Sequence, residues 1–201
     1  MPEPDSSLRA RLVAVGADLL AREGTQALTL REIARQAGVS HGAPRRYFPT
    51  HLALLAAIAQ VGYQQLGQQV AETIDARGDT EPYDQLLALG RLYLHFARTN
   101  HGMFELMFRR DLLRGNEIGL REASQGLFAV LVDLVSRARP NVPDAPAPSV
   151  VAAALWANLH GIAELWQWGS LQIMVQTDNV EPLLRAALDA HLRPAATPTR
   201  G

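Results

Sequence analysis

An all-α protein in two parts is what this sequence predicts: an N-terminal three-helix head built on a helix-turn-helix, and a larger helical domain behind it. Three observations carry that expectation. Apolar residues recur at three- and four-residue steps through most of the 201 residues, with no strand alternation, internal repeat or coiled-coil heptad in competition. The stretch from Thr29 to His51, TLREIARQAGVSHGAPRRYFPTH, reads as two short helices joined by a tight turn. Charge is unevenly placed as well: seven arginines against five acids up to His51, net +2, and twelve against fifteen beyond it, net −3.

In the first helix Leu8, Leu12, Val15 and Leu19 make an apolar stripe, and Gly24 ends it. Its expected task is to bury that stripe behind the helix-turn-helix. Thr29 and Glu32 form a capping box, in which the hydroxyl takes an orphan N–H and the carboxylate reaches back to the Thr29 N–H. The second helix therefore starts at Leu30, with Leu28 and Ile33 spaced as a hydrophobic staple. Gly38 supplies its left-handed end, and Ser40 is the N-cap expected for a third helix. From Arg31 to His51, Arg31, Arg35, Arg45 and Arg46 stand against Glu32 alone, net +3, a face suited to a phosphate backbone.

Thr50 then caps a helix of roughly 25 residues that, at 1.5 Å per residue, reaches about 40 Å, far enough to act as a lever from the head into the second domain. Leu52, Leu55, Ile58, Gly62, Leu66, Val70 and Ile74 hold one of its faces, and Arg77-Gly78-Asp79 closes it. Pro82 opens a helix whose apolar residues, Tyr83 to Phe96, cover most of its circumference and mark it as buried. A break at Thr99-Asn100 precedes a short segment, His101 to Phe108. Further helices are expected from Gly115 to Arg139, from a Ser149 cap to about Trp168, and from about Val180 to Leu192, with a stiff loop from Pro140 to Pro148. The domains expected are the helix-turn-helix head over 1–51 and the larger helical domain over 52–194, with 195–201 a frayed tail.

The residues T-L-R-E-I-A-R-Q-A-G-V-S, then G-A, then Y-F-P-T, resemble the DNA-binding domain of the TetR family of transcriptional regulators. In position, the last two helices resemble the pair that forms a four-helix dimer bundle in that family. The stretch L-W-A-N-L-H-G is similar to a C-terminal subtype of it named for Trp, His and Gly. The resemblance implies a homodimeric repressor that binds a palindromic double-stranded operator and is released by a small, largely apolar effector. Thr29, Arg31, Ser40, His41, Gly42, Ala43, Arg45, Arg46, Tyr47 and His51 are the implied DNA contacts, with Thr29, Tyr47 and His51 on phosphates. Three residues depart from the family pattern: Pro44 stands for an aliphatic residue, Arg45 for a tyrosine and His51 for a lysine. Pro44 restrains Ala43 and deletes a backbone bond, so a late start or bend in the recognition helix is expected. The dimer would bury Leu183, Leu184, Ala187, Leu188 and Leu192 of the final helix.

Tyr63, Tyr93, Phe96, Met103, Phe104, Met107, Phe108, Phe128, Trp156, His160 and Trp166 are the candidate effector-binding residues; aromatic stripes at helical spacing describe plain core equally well. His160 and Glu164 face the same way four residues apart, as an ion pair would; without a third ligand no metal site is expected. Cysteine is absent, which excludes disulfides and thiolate catalysis. No Gly-x-Ser-x-Gly elbow, phosphate loop or dinucleotide fingerprint occurs, so neither an enzyme nor a cofactor is expected. With no signal peptide and no membrane span legible, a cytoplasmic protein is expected. The rival reading is an all-helical carrier of apolar ligands whose helix-turn-helix is only a structural corner.

Overall fold

The computed structural model describes residues 4–109, 111–112, 119–139 and 145–192, with side chains from residue 8 on. Every regular element among them is helical. They fall into two compact units, the first within residues 1–67 and 99–125, the second within 68–98 and 126–201. The boundary expected at 51/52 is a functional one; the compact units are cut elsewhere, and helix α3 runs through both.

In the first unit, α1 (Pro4–Glu23) ends at Gly24, whose φ of 78° is left-handed as expected. Its buried face is Leu12, Val13, Gly16, Leu19 and Leu20, while Leu8 and Val15 of the expected stripe are half-buried. Gly16 lies on that face against α3 (His51–Arg77): a Cβ there would collide with the tip of the Ile58 side chain, which would have to shift to admit a larger residue. After a 3-10 turn (Thr25–Ala27), α2 (Leu30–Gln36) starts at Thr29, whose hydroxyl accepts the Glu32 N–H at 3.2 Å. Only that half of the capping box forms. The Thr29 N–H donates to the Ala27 carbonyl, and the Glu32 carboxylate turns instead to Arg35 and Gln36. Gly38, at φ 67°, closes the helix, with Val39 N–H returning to the Ala34 carbonyl at 3.0 Å.

The third helix expected from a Ser40 cap is not an α-helix: it is a 3-10 turn, Ala43–Arg46. Pro44 is the cause. It has no N–H to return to the Ser40 carbonyl, which takes the Ala43 N–H at 3.0 Å in a three-residue step instead, while Arg45 N–H goes to Gly42 in another. Pro44 is itself buried, and Phe48 is 2% exposed. Thr50 caps α3 through the Ala53 N–H at 3.0 Å, and α5 (His101–Met107) packs on α1.

In the second unit, α4 (Pro82–Thr99) begins at Pro82. Gln85, buried on it, donates to the Gly78 carbonyl at 2.7 Å and satisfies the end of α3. Helix α6 (Leu120–Ala138) is described from Leu120; Ile118 and the expected start at Gly115 lie outside the described residues, as do 140–144 of the proline loop and the tail. Helix α7 (Pro148–Gln167) starts one residue before the expected Ser149 cap, with Pro148 in its first turn and no side-chain cap at Ala147. Proline is tolerated there because that N–H needs no helical partner. A short helix that sequence periodicity did not announce, α8 (Ser170–Val175), precedes α9 (Glu181–Leu192). The apolar face of α9 is used within the chain: Leu184, Ala187, Leu188 and Leu192 are buried and Leu183 is half-buried. The expectation that these five residues wait for a second copy is therefore corrected.

Candidate functional site

On the first unit, α2 and the 3-10 turn present one exposed basic surface. Arg31, Ser40, His41, Gly42, Arg45 and Arg46 are exposed, with Thr29 beside them, while Ala43 and Tyr47 are half-buried. None of Arg31, Arg45 and Arg46 pairs with an acid among the described residues. Arg9, Arg22 and Arg35 of the same unit are committed elsewhere. Arg35 holds Glu32 through Nε at 2.9 Å, and this bond, with one from Gln36, pulls the Glu32 carboxyl down to about 2. Arg22 is tied to Asp18 and reaches Gln36 at 2.9 Å, and the Arg9 guanidinium lies 5.3 Å over the Phe48 ring. Arg31, Arg45 and Arg46 thus keep their charge available on this surface, while Arg9, Arg22 and Arg35 brace the helices behind it.

His51 takes another part than expected. Its Nε2 donates to the carbonyl of Leu28, so the ring closes the head by joining the start of α3 to the entry of α2. Sequence spacing alone could not find this contact across 23 residues.

A model of the tetR family of bacterial regulatory proteins matches residues 12–58, and one described as the tetracyclin repressor-like C-terminal domain matches residues 86–191. The chain belongs to the TetR family. TetR-family chains are DNA-binding transcription regulators, not enzymes. Among solved structures, a protein with unknown function from Rhodococcus sp. RHA1 is 28% identical, with TM-score 0.78 over 96% of this chain and 97% of that one. A TetR transcriptional regulator from Streptomyces coelicolor is 26% identical, with TM-score 0.52 over 94% and 99% of the two chains. The TetR-family regulator PfmR from Thermus thermophilus shares the fold at 17% identity, with TM-score 0.63 over 93% and 100%. No match was found among the curated proteins. No helix among the described residues is long and apolar enough to cross a membrane.

The residues expected to bind an effector gather in two groups, one within each unit of this TetR-family chain. In the first unit, Tyr63, Met103, Phe104 and Met107 are buried and Phe108 is half-buried. The Tyr63 hydroxyl donates to the Met107 carbonyl at 2.9 Å, and burial pushes the phenol up to about 12. Phe108 stacks edge-on against Phe104 at 4.9 Å and Tyr63 at 6.2 Å. A Cβ on Gly62 would stand 2.6 Å from the Met107 sulfur. That group is close-packed core.

The second group is more open. Phe96 is buried, but Tyr93, Phe128, His160 and Trp166 are half-buried and Trp156 is 38% exposed. Trp156 Nε1–H donates to the Tyr93 oxygen at 3.1 Å, and the Tyr93 hydroxyl donates to His160 Nδ1 across 2.8 Å in the neutral Nε2–H tautomer. Phe128 meets Trp156 edge-on at 6.5 Å. Burial lowers the His160 pKa, with Glu164 opposing, so the ring is neutral at pH 7. This group combines apolar faces with convergent polar atoms, the composition of a small-molecule site.

Proposed function

We propose that the chain is a homodimeric repressor that holds a palindromic operator and lets go when a small, largely apolar effector binds the second unit. The observation that carries the DNA reading is the trio Arg31, Arg45 and Arg46, exposed and without acidic partners beside a capped helix. Arg45 and Arg46 are adjacent and point differently, so one meets the operator directly and the other supplies charge along the backbone. Thr29 joins them as a phosphate ligand, because its hydroxyl accepts from Glu32 N–H and keeps its own proton to donate. Ser40, His41, Gly42, Ala43 and Tyr47 complete the contact surface. Two such heads meet successive major grooves about 34 Å apart.

The dimer is supported by α7. Val150, Ala154, Ala157, Leu165 and Trp168 are exposed along it, and a Cβ on Gly161 would meet nothing. An apolar stripe with an open glycine suits a second copy of the helix. The exposed Pro182, Ala186 and Ala190 of α9 extend it. The effector reading rests on Tyr93, Phe128, Trp156 and His160, which offer aromatic faces and a hydrogen-bonded pair on α4, α6 and α7.

Footprinting on the DNA just upstream of the chain's own gene, at physiological salt with unrelated DNA as competitor, tests the reading. A protected palindrome is expected. Arg45→Ala and Arg46→Ala are each expected to weaken binding and to flatten the dependence of log affinity on log salt, by about one unit for each phosphate no longer neutralised. Unchanged affinity and slope in both variants would remove this surface from the interface.

A further inference from the structure

The second unit holds a cavity of about 190 Å³ that shares only Trp166 with the aromatic group. Its floor is apolar: Leu94 of α4, Ala163 and Trp166 of α7, and Leu184 of α9. On the α4 side Arg91, His95 and Arg98 line it at successive turns of one helix. Arg91 is spoken for, since its guanidinium binds Glu181 with both Nε and Nη2, and Arg185 holds the same carboxylate at 2.9 Å. Arg98 is exposed and has no hydrogen-bond or ion-pair partner among the described residues. A fixed cation at the mouth of an apolar recess, its neighbouring arginine already neutralised, leaves room for one anionic group and an apolar body.

We propose that this cavity binds a small monocarboxylic acid, its carboxylate on Arg98 beside His95 and its apolar body against Leu94, Ala163, Trp166 and Leu184. The planar guanidinium pairs a carboxylate in two parallel hydrogen bonds, which an alcohol or amide of the same shape cannot reproduce. The volume falls below the ~300–1,000 Å³ typical of drug-sized ligands, so the body is a short chain or a single ring. The cavity is a different site from the Tyr93, Phe128, Trp156 and His160 group, and the proposal rests on the repressor reading only for what binding does to DNA affinity.

Calorimetric titration of the full-length protein with butyrate, hexanoate and benzoate, beside hexanol and benzamide, tests the site. At least one acid is expected to bind, about tenfold or more tighter than its neutral counterpart. Arg98→Gln is expected to remove that preference, and because the side chain is exposed the variant keeps its fold. Ala163→Leu, which fills the floor, is expected to abolish binding of acid and neutral probe alike, with a thermal melt reporting whether the chain is folded. Absence of binding by all three acids, equal binding of acid and neutral pairs, or an Arg98→Gln preference equal to the wild type would overturn the proposal. The operator footprint is then repeated with the bound acid. Binding without a change in footprint leaves the carboxylate site standing and counts against its control of DNA; failure to bind leaves the DNA reading untouched.

Discussion

His160 accepts the Tyr93 proton only while its own ring is neutral, which makes this pair sensitive to pH. Burial holds the folded pKa below the ordinary histidine value of 6.5, so as pH falls the unfolded chain takes up a proton first. Stability is therefore full above about 6.5, declines as pH drops from there to the lowered folded value, and levels off below it. Thermal melts between about pH 5.5 and 7.5 should show this decline in the wild type and a shallower one in His160→Gln. Equal slopes would mean that the histidine protonates as freely in the fold as outside it. Tyr63 is a contrasting case, a hydroxyl buried for packing and satisfied by one carbonyl. Tyr63→Phe leaves the Met107 carbonyl without that donor and is expected to cost about 1 kcal/mol in urea denaturation, with operator affinity unchanged. A loss of DNA binding at equal stability would instead give Tyr63 a role in signalling.

Among the elements, the 3-10 turn at Ala43–Arg46 is where a single residue decides the geometry of the basic surface proposed to meet DNA. Pro44→Leu restores a backbone donor and, being aliphatic, suits the buried position that proline now fills. It is expected to draw the turn into an α-helix, seen as slower amide exchange at Arg45 to Phe48, and to change operator affinity through the altered aim of Arg45 and Arg46. Exchange rates equal to those of the wild type would show that Gly38 and the short turn, not Pro44, limit the helix. Most helices were legible because periodicity and an end signal agreed, as at Thr29, Gly38, Thr50, Pro82 and Asn100. The type of the turn was not, since proline is both welcome early in a helix and ruinous to its next bond, and which effect wins depends on burial. The short helix α8 carries no side-chain cap and lies between two left-handed residues, Gly169 and Gln176, so nothing in its sequence announced it. The basic surface could be read from composition. The free state of Arg98 and the turn of His51 toward Leu28 could not, because both depend on neighbours distant in sequence.

For the whole molecule the question is what covers the apolar surface that one chain leaves open. The last helix spends its leucines inside the chain, so its periodicity overstated what it offers a partner. The remaining apolar surface runs along α7 from Val150 to Trp168 and continues into Ile173 and Met174, which are 79% and 80% exposed. A charge on that stripe costs little in an isolated chain, where Leu165 is already 38% exposed, but is costly once a second copy buries it. Leu165→Glu is therefore expected to leave the thermal melt of the isolated chain intact while shifting sedimentation from dimer to monomer. Since two linked heads gain affinity by avidity, the same variant should bind a palindromic operator weaker by on the order of a hundredfold, yet keep wild-type affinity for a single half-site. A Leu165→Glu protein that still sediments as a dimer would move the interface off the middle of α7, and Trp168, Ile173 and Met174 would then be the residues to charge next.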